Sequence, residues 1–476
     1  MVFSSAYFMF VFLPVVLLFI GVLHKRFHNA ILLLASLYFY AWGSVSHTSI
    51  LVVSISLNYL FGRLIASGEG KQRGLLLGIA ITINLGILTY LKYANFFLDN
   101  FNGVRSIFGH SIIEFKEIVL PIGVSFFTFQ AISYLVDVYR KTSPVQKNYL
   151  DLALYISLFP QLVAGPIVRY NDVVDQLKNR VLSMSKAAQG VHRFIIGFAK
   201  KILIANYVGY IADLIFGQSI NDISTGAAWL GIVCYTLQIY FDFSGYSDMA
   251  IGLGKIFGFD FMENFNLPYI ADSIRDFWRR WHISLSTWFR DYLYIPLGGN
   301  RKGELLTLRN LMLVFLLTGL WHGASWTFVI WGIYHGVFLL IERLGFDKLL
   351  NFVYKPIRIA YTLLVVMVGW VLFRSETLEL ANAFIKKMFF MGEQNDLKIY
   401  AQDFLNNKAI FVLLIAAFLA FGFGRWVIDK LKATMNSGGA AVTLHLMKSV
   451  IAFSLLLLSI LYLAGNTYNP FIYFRF

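Results

Sequence analysis

The stretch LRNLMLVFLLTGLWHGASWTFVIWGIYHGVFLLIER, residues 308–343, decides the fold. It holds two apolar runs, each near the roughly 20 residues that cross a hydrocarbon core of about 30 Å as a helix. The blocks run near 308–323 and 325–343, with a W-H-G sequence, Trp321-His322-Gly323, between the two apolar runs. Neither run alternates apolar and polar residues as barrel strands would, and only helices or closed barrels satisfy their backbone in lipid. The two runs read as consecutive membrane helices.

Outward from this pair the pattern repeats. Apolar blocks lie near 5–23, 30–46, 50–66, 75–92, 117–138, 150–168, 190–214, 226–257, 358–373, 408–424 and 447–464. Some are long or interrupted by Gly and Pro, so the expected count is about eleven to thirteen helices. Hydrophobic residues make up 58% of the chain and charged ones 14%, against roughly 25% charged in soluble domains. No fixed-period repeat and no soluble domain of ordinary composition is visible. The expectation is one all-α polytopic membrane domain over 1–476. The opening MVFSSAYFMFVFLPVVLLFIGVLHKR lacks a basic leader and a small-residue cleavage site, and reads as a retained first helix.

The formal charge is +14 over 476 residues. No stacking module or basic motif accompanies it, which argues against a nucleic-acid partner. The cations gather instead in short loops: Lys25 and Arg26; Lys71 and Arg73; Arg140, Lys141 and Lys147; Arg301, Lys302 and Arg309; Lys430 and Lys432. Placing these on the cytoplasmic side of a cell membrane puts both termini, Met1 and Phe476, outside. The single cysteine, Cys234, cannot form an intrachain disulfide and reads as a buried packing residue.

Polar groups inside a membrane are costly and mark candidate sites. His322 lies 14 residues along from Leu308, roughly 21 Å into the core at about 1.5 Å per residue. A neutral imidazole there is either a packed core residue or a general base for a hydroxyl. Gly319 and Gly323 beside it would leave room for a ligand. His335, thirteen residues further, is a second candidate.

The segment 259–302 is the least membrane-like. Arg275, Arg279, Arg280 and Arg290 are mixed with Trp278, Trp281, Trp288 and Phe289, and His282 sits among them. Two readings fit: an interfacial helix with Trp at headgroup level and snorkelling Arg, or a re-entrant segment lining a wet cavity. In the second, the Arg side chains would bind the phosphates of a thioester carrier. A third cluster, QIYFDFSGYSDMAIGLGKIFG, places Gln238, Asp242, Ser244, Ser247 and Asp248 in an apolar run. It is either a structural polar network or part of a substrate channel, and Gly245, Gly252, Gly254 and Gly258 permit close helix approach. No phosphate-binding loop, dinucleotide fingerprint, HExxH or cysteine–histidine zinc spacing occurs, so no metal ligands are assigned.

Five stretches carry a resemblance: PIGVSFFTFQAISYLVDVYR (121–140), FPQLVAGPIVRYNDVVDQL (159–177), FDFSGYSDMAIGLGKIFGFDFMENFNLPY (241–269), RDFWRRWHISLSTWFRDYLYIPLGGNRKG (275–303) and LTGLWHGASWTFVIWGIYHG (317–336). In order along the chain, and with the terminal NPFIYFRF, they resemble the membrane-bound O-acyltransferase family, most of all its branch that acetylates alginate and cell-wall polysaccharides. The resemblance implies a ring of tilted helices and re-entrant segments around a central passage, with a catalytic core near 117–345 and further spans over 358–476. It puts the family's two histidines on His282 and His322, with Trp321, Trp281, Arg275, Arg279, Arg280, Asp242, Ser244 and Asp248 as candidate substrate- or donor-binding residues. It implies no permanently bound cofactor; acetyl-CoA or an acyl-carrier thioester is the donor. Expected partners are a polysaccharide acceptor, membrane lipid and a separate extracytoplasmic SGNH-type protein. Two alternatives stand beside it: D-alanyl transfer to teichoic acid within the same family, and a polysaccharide transporter or export scaffold.

Overall fold

A computed structural model describes residues 1–391, 398–434, 438–465 and 468–470. In chain order the α-helices are α1 (Leu13–Val22), α2 (His28–Ala41), α3 (Val45–Ser67), α4 (Gly70–Ile107), α5 (Val124–Arg140), α6 (Tyr149–Ser157), α7 (Phe159–Leu162), α8 (Tyr170–Asn179), α9 (Met184–Ala199), α10 (Asn206–Phe216) and α11 (Thr225–Ile256). They continue as α12 (Ile274–Arg280), α13 (Ile283–Phe289), α14 (Glu304–His322), α15 (Trp326–Ile341), α16 (Asp347–Asn351), α17 (Lys355–Arg374), α18 (Leu378–Met388), α19 (Asn407–Ala420), α20 (Phe423–Thr434) and α21 (Gly438–Gly465). The protein is all-α and polytopic. Among the described residues the one non-helical pairing is an isolated bridge between Ile223 and Ile399.

Seven helices among the described residues are long and apolar enough to cross a membrane, or eight if α19 and the start of α20, bent by 64°, form one broken span. The other apolar blocks are helical too, but shorter or more charged. Residues 150–168 break at Leu158 into α6 and α7, and α11 carries Asp242, Asp248 and Lys255. Length and charge, rather than apolarity alone, separate blocks from spans.

The chain forms two compact units, Met1–Gly190 with Ala250–Met262, and Val191–Met249 with Glu263–Phe476. In the first, α2 packs on α3 and α6, and α3, α4 and α5 pack on one another. With lipid outside, apolar surface gives little drive for helix association, so polar pairs and close packing carry it. Asn58 and Asn84 exchange amide hydrogen bonds between α3 and α4, each Nδ2 donating to the other's Oδ1 at 3.0 and 2.9 Å. α3 meets α5 at Gly62, where an added Cβ would lie 2.5 Å from the Tyr134 hydroxyl.

In the second unit, α14 and α15 form a tight hairpin. A Cβ on Gly319 would overlap the Phe328 carbonyl, and one on Gly332 the Phe315 carbonyl. α9 and α11 approach as closely through Gly197 and Gly245. A π-turn, Lys200–Ala205, links α9 to α10. Its adjacent lysines both find acids on α11: Lys200 Nζ lies 2.7 Å from Asp248 and Lys201 Nζ 2.7 Å from Asp242. Cys234 is fully buried in this core, as its packing role requires.

Candidate functional site

The segment before α12 and α13 cannot be a regular helix. Leu267 and His282 both adopt left-handed backbone, with φ of 48° and 45°. Such a conformation costs a non-glycine residue on the order of 1–3 kcal/mol and persists only where its surroundings enforce it. At His282 the enforcing group is Asn264. Its carbonyl oxygen accepts the Ile283 N–H at 3.0 Å. Its Oδ1 accepts the Ser284 N–H at 3.3 Å and the Ser284 hydroxyl at 2.9 Å, and its Nδ2 donates to Ser247 Oγ at 3.1 Å.

This arrangement also sets the histidine's tautomer. Because Asn264 Oδ1 is fixed as an acceptor by the Ser284 N–H, His282 Nδ1, 3.0 Å away, must donate to it. The neutral ring then carries its basic lone pair on Nε2. His282 is 1% exposed, and burial pulls its imidazole down to about 3, so it stays neutral through the physiological range. Phe243 packs edge-on to the ring at 4.7 Å.

His322 ends α14 and is 6% exposed. Three rings stand edge-on to it: Trp321 at 4.9 Å, Phe373 at 5.1 Å and Trp331 at 5.2 Å. The Trp321 indole also lies 6.0 Å from His282. The two imidazoles thus flank one indole, one held by amide and hydroxyl groups and the other by aromatic faces. Behind them, Trp281 packs against Phe265, Phe277 and Trp370.

A cavity of about 1060 Å³ adjoins this cluster through Phe373, the ring packed on His322. Phe373 and Phe328 form its apolar wall, while Asp213, Ser325, Thr327 and Arg374 give it polar lining. Arg374 pairs with Asp213 and lies over the Tyr235 ring at 5.3 Å. At the other end of α15, buried Glu342 accepts the N–H groups of Ile274 and Arg275 at 2.6 and 3.0 Å, fixing the start of α12. The arrangement places an imidazole one aromatic ring, Phe373, away from a cavity with polar and apolar walls, and an imidazole base suits proton transfer from a hydroxyl.

The structure brings His282, Trp321 and His322 together, with Trp281 in the adjoining aromatic layer. Arg275 and Arg279 are exposed, Arg275 lying 3.5 Å from Asp347; Arg280 bonds Asp276 at 2.8 Å. Asp242 pairs with Lys201, and Asp248 with both Lys200 and Arg193, whose guanidinium also holds Glu263. Ser244 is buried nearby on α11.

Two expectations are corrected. Trp278, Trp281 and Trp288 are 8%, 3% and 6% exposed, so they pack inside the protein instead of anchoring an interfacial helix at headgroup level. Gly319 and Gly323 do not leave room for a ligand: the Phe328 backbone fills the space at the first and the Phe328 ring the space at the second. Asn264, Ser284 and Phe373 escaped the sequence reading. Asn264 belongs to an irregular stretch with no helical period, and only the two backbone turns around it reveal its role. The final residues of the terminal NPFIYFRF, 471–476, lie outside the described residues.

Comparison with known proteins identifies the class. The model of the membrane-bound O-acyltransferase family matches residues 138–374. The chain is 44% identical to the probable alginate O-acetylase AlgI of Pseudomonas putida, over 100% of both chains. It is 36% identical to the peptidoglycan O-acetyltransferase of Helicobacter pylori, over 100% of this chain and 98% of that one. The teichoic acid D-alanyltransferase of Bacillus subtilis is 31% identical over 48% of this chain and 59% of its own. This chain belongs to the membrane-bound O-acyltransferase family and is a multi-pass membrane acyltransferase.

Proposed function

We propose that the protein is an O-acetyltransferase of the cytoplasmic membrane, both termini outside, that takes an acyl group from a cytoplasmic thioester, acetyl-CoA, and passes it outward for esterification of a polysaccharide such as alginate or a cell-wall glycan. The observation that carries this reading is full-length identity to relatives named for alginate and peptidoglycan O-acetylation, combined with two buried imidazoles on one indole. The D-alanyltransferase relative covers only about half of the chain, which favours acetyl over D-alanyl transfer.

In this mechanism His322 takes the proton of an acceptor hydroxyl as its oxygen attacks the thioester carbonyl. The C–S bond breaks, the ester forms, and the proton passes to the departing thiolate. The thioester is already activated, so proximity, proton transfer and stabilisation of the developing oxyanion suffice. His282, locked as its Nδ1–H tautomer, supports the same centre. The cavity beside Phe373 would admit the acceptor, and a separate extracytoplasmic SGNH-type partner would deliver the acyl group to the polysaccharide.

The test is reconstitution. Purified protein in liposomes, with a secreted partner and polysaccharide outside, is supplied with labelled acetyl-CoA or a labelled D-alanyl carrier protein inside. Label from acetyl-CoA appearing as polymer ester is the expected result. Label from the D-alanyl carrier alone would replace the acetyl reading, and flux of polysaccharide without ester formation would move the protein to the transport class.

A further inference from the structure

The first unit carries two cavities that the histidine chemistry does not use. One is an apolar groove of about 540 Å³ along α1 and α2, lined by residues that include Val11, Val15, Phe19, Leu23, Ile31 and Leu34. Several of these are exposed, as lipid-facing side chains are: Val15 is 46%, Phe19 49% and Leu34 67% accessible. The hydroxyls of Tyr7 and Tyr38, 2.9 Å apart, close its far end. The second cavity, of about 220 Å³, is polar and is lined by Lys25, Arg26, His28, Asn29, Lys178 and Arg180 among others.

The two adjoin. Leu23 and Ile31 line the groove, while Lys25 and Asn29, two residues away on each side of the turn, line the polar cavity. His28 Nε2 bonds the Leu23 carbonyl at 3.1 Å and holds that turn closed. Four cations meet here, and among the described residues none forms an ion pair with a carboxylate. Arg180 is steadied by Asn29 Oδ1 and by the Phe259 ring at 5.1 Å, while its buried Nε has no partner. One carboxylate stands near them: Asp151 accepts from Asn29 Nδ2 at 2.8 Å and acts electrostatically on Arg180. Four positive groups against a single carboxylate leave an excess of positive charge that calls for an anion.

We propose that the paired cavities bind one anionic phospholipid, its phosphate in the basic cavity and an acyl chain along the groove. Basic pockets between membrane helices on the cytoplasmic side suit anionic headgroups, and Lys25 and Arg26 mark that side by the positive-inside bias. A zwitterionic headgroup would press its own ammonium against the four cations, so selection favours net negative lipid. The site is independent of the acyl-transfer reading.

The test titrates detergent-purified full-length protein with phosphatidylglycerol or phosphatidylcholine, following bound lipid by native mass spectrometry and the melting temperature. Phosphatidylglycerol should bind about tenfold more tightly than phosphatidylcholine and raise the melting temperature. Lys25→Gln with Arg26→Gln, both exposed positions, should lose about tenfold in that affinity with lipid-free melting unchanged. Arg180→Gln should lose as much. Equal binding of the two lipids, wild-type affinity in the double variant, or the same stabilisation from inorganic phosphate or coenzyme A would overturn the proposal.

Discussion

His282 and His335 are both fully buried histidines of the same unit, yet their surroundings differ in kind. His282 donates to the side-chain amide of Asn264, which also bonds the Ser284 N–H and the hydroxyls of Ser284 and Ser247, while the Asn264 main-chain carbonyl accepts the Ile283 N–H. His335 stands among Trp278, Trp331 and Tyr334 at 5.1 to 5.2 Å, with no polar partner on either ring nitrogen among the described residues. Burying an imidazole without a partner is a cost with no directional return. Burying one with its tautomer fixed yields a group of defined donor and acceptor character. The contrast teaches that burial alone leaves a histidine's donor and acceptor roles undefined, and that the polar atoms around it define them.

Four measurements break or sharpen this contrast. His322→Ala removes the imidazole packed on Phe373 and should lower acyl transfer by about 10²–10⁴-fold, with the gel-filtration profile retained; near-normal turnover would end the assignment. Asn264→Ala strips His282 and Ser284 of their shared acceptor. It should cost about 1–3 kcal/mol of stability and reduce turnover by roughly tenfold or more, and ¹⁵N imidazole spectra should lose the single tautomer.

The third concerns acid. The folded pKa of His282, about 3, lies below the ordinary value of 6.5, so the unfolded chain binds its proton first. Stability contributed by the neutral ring is therefore present above pH 6.5 and declines as pH falls toward 3, with a slope of up to about 1.4 kcal/mol per pH unit. Melting curves between pH 7 and pH 5 should fall less steeply in His282→Gln than in the wild type. The smallest effect belongs to His335→Phe, which keeps a flat ring and removes two unsatisfied nitrogens. Turnover should stay within about threefold and stability within about 1.5 kcal/mol; a loss matching that of His322→Ala would show that an unpartnered imidazole also works in the chemistry.

Much of this was legible in the residues. Apolar blocks of membrane length give the helices. Gly245 does permit close helix approach, against Gly197. What stayed hidden depends on direction. Trp278, Trp281 and Trp288 read equally well as outward anchors or inward packing until two short helices, α12 and α13, turn them inward. Asn264 has neither charge nor helical period to announce it, because its work is done through backbone turns. Gly323 looked like space because a missing side chain says nothing about which neighbour, here the Phe328 ring, fills the gap. Composition finds the medium and the elements; the orientation of individual side chains comes from contacts far apart in the chain.

The π-turn at Lys200–Ala205 makes chain length itself a constrained quantity there. Most loops of a polytopic protein tolerate an added or lost residue, because the helices that follow keep their facing. Here one residue removed would rewind the turn to ordinary α-helical pitch, swing the lysines off Asp242 and Asp248, and rotate all of α10 by about 100°. Insertions and deletions, more than substitutions, are what this stretch cannot absorb.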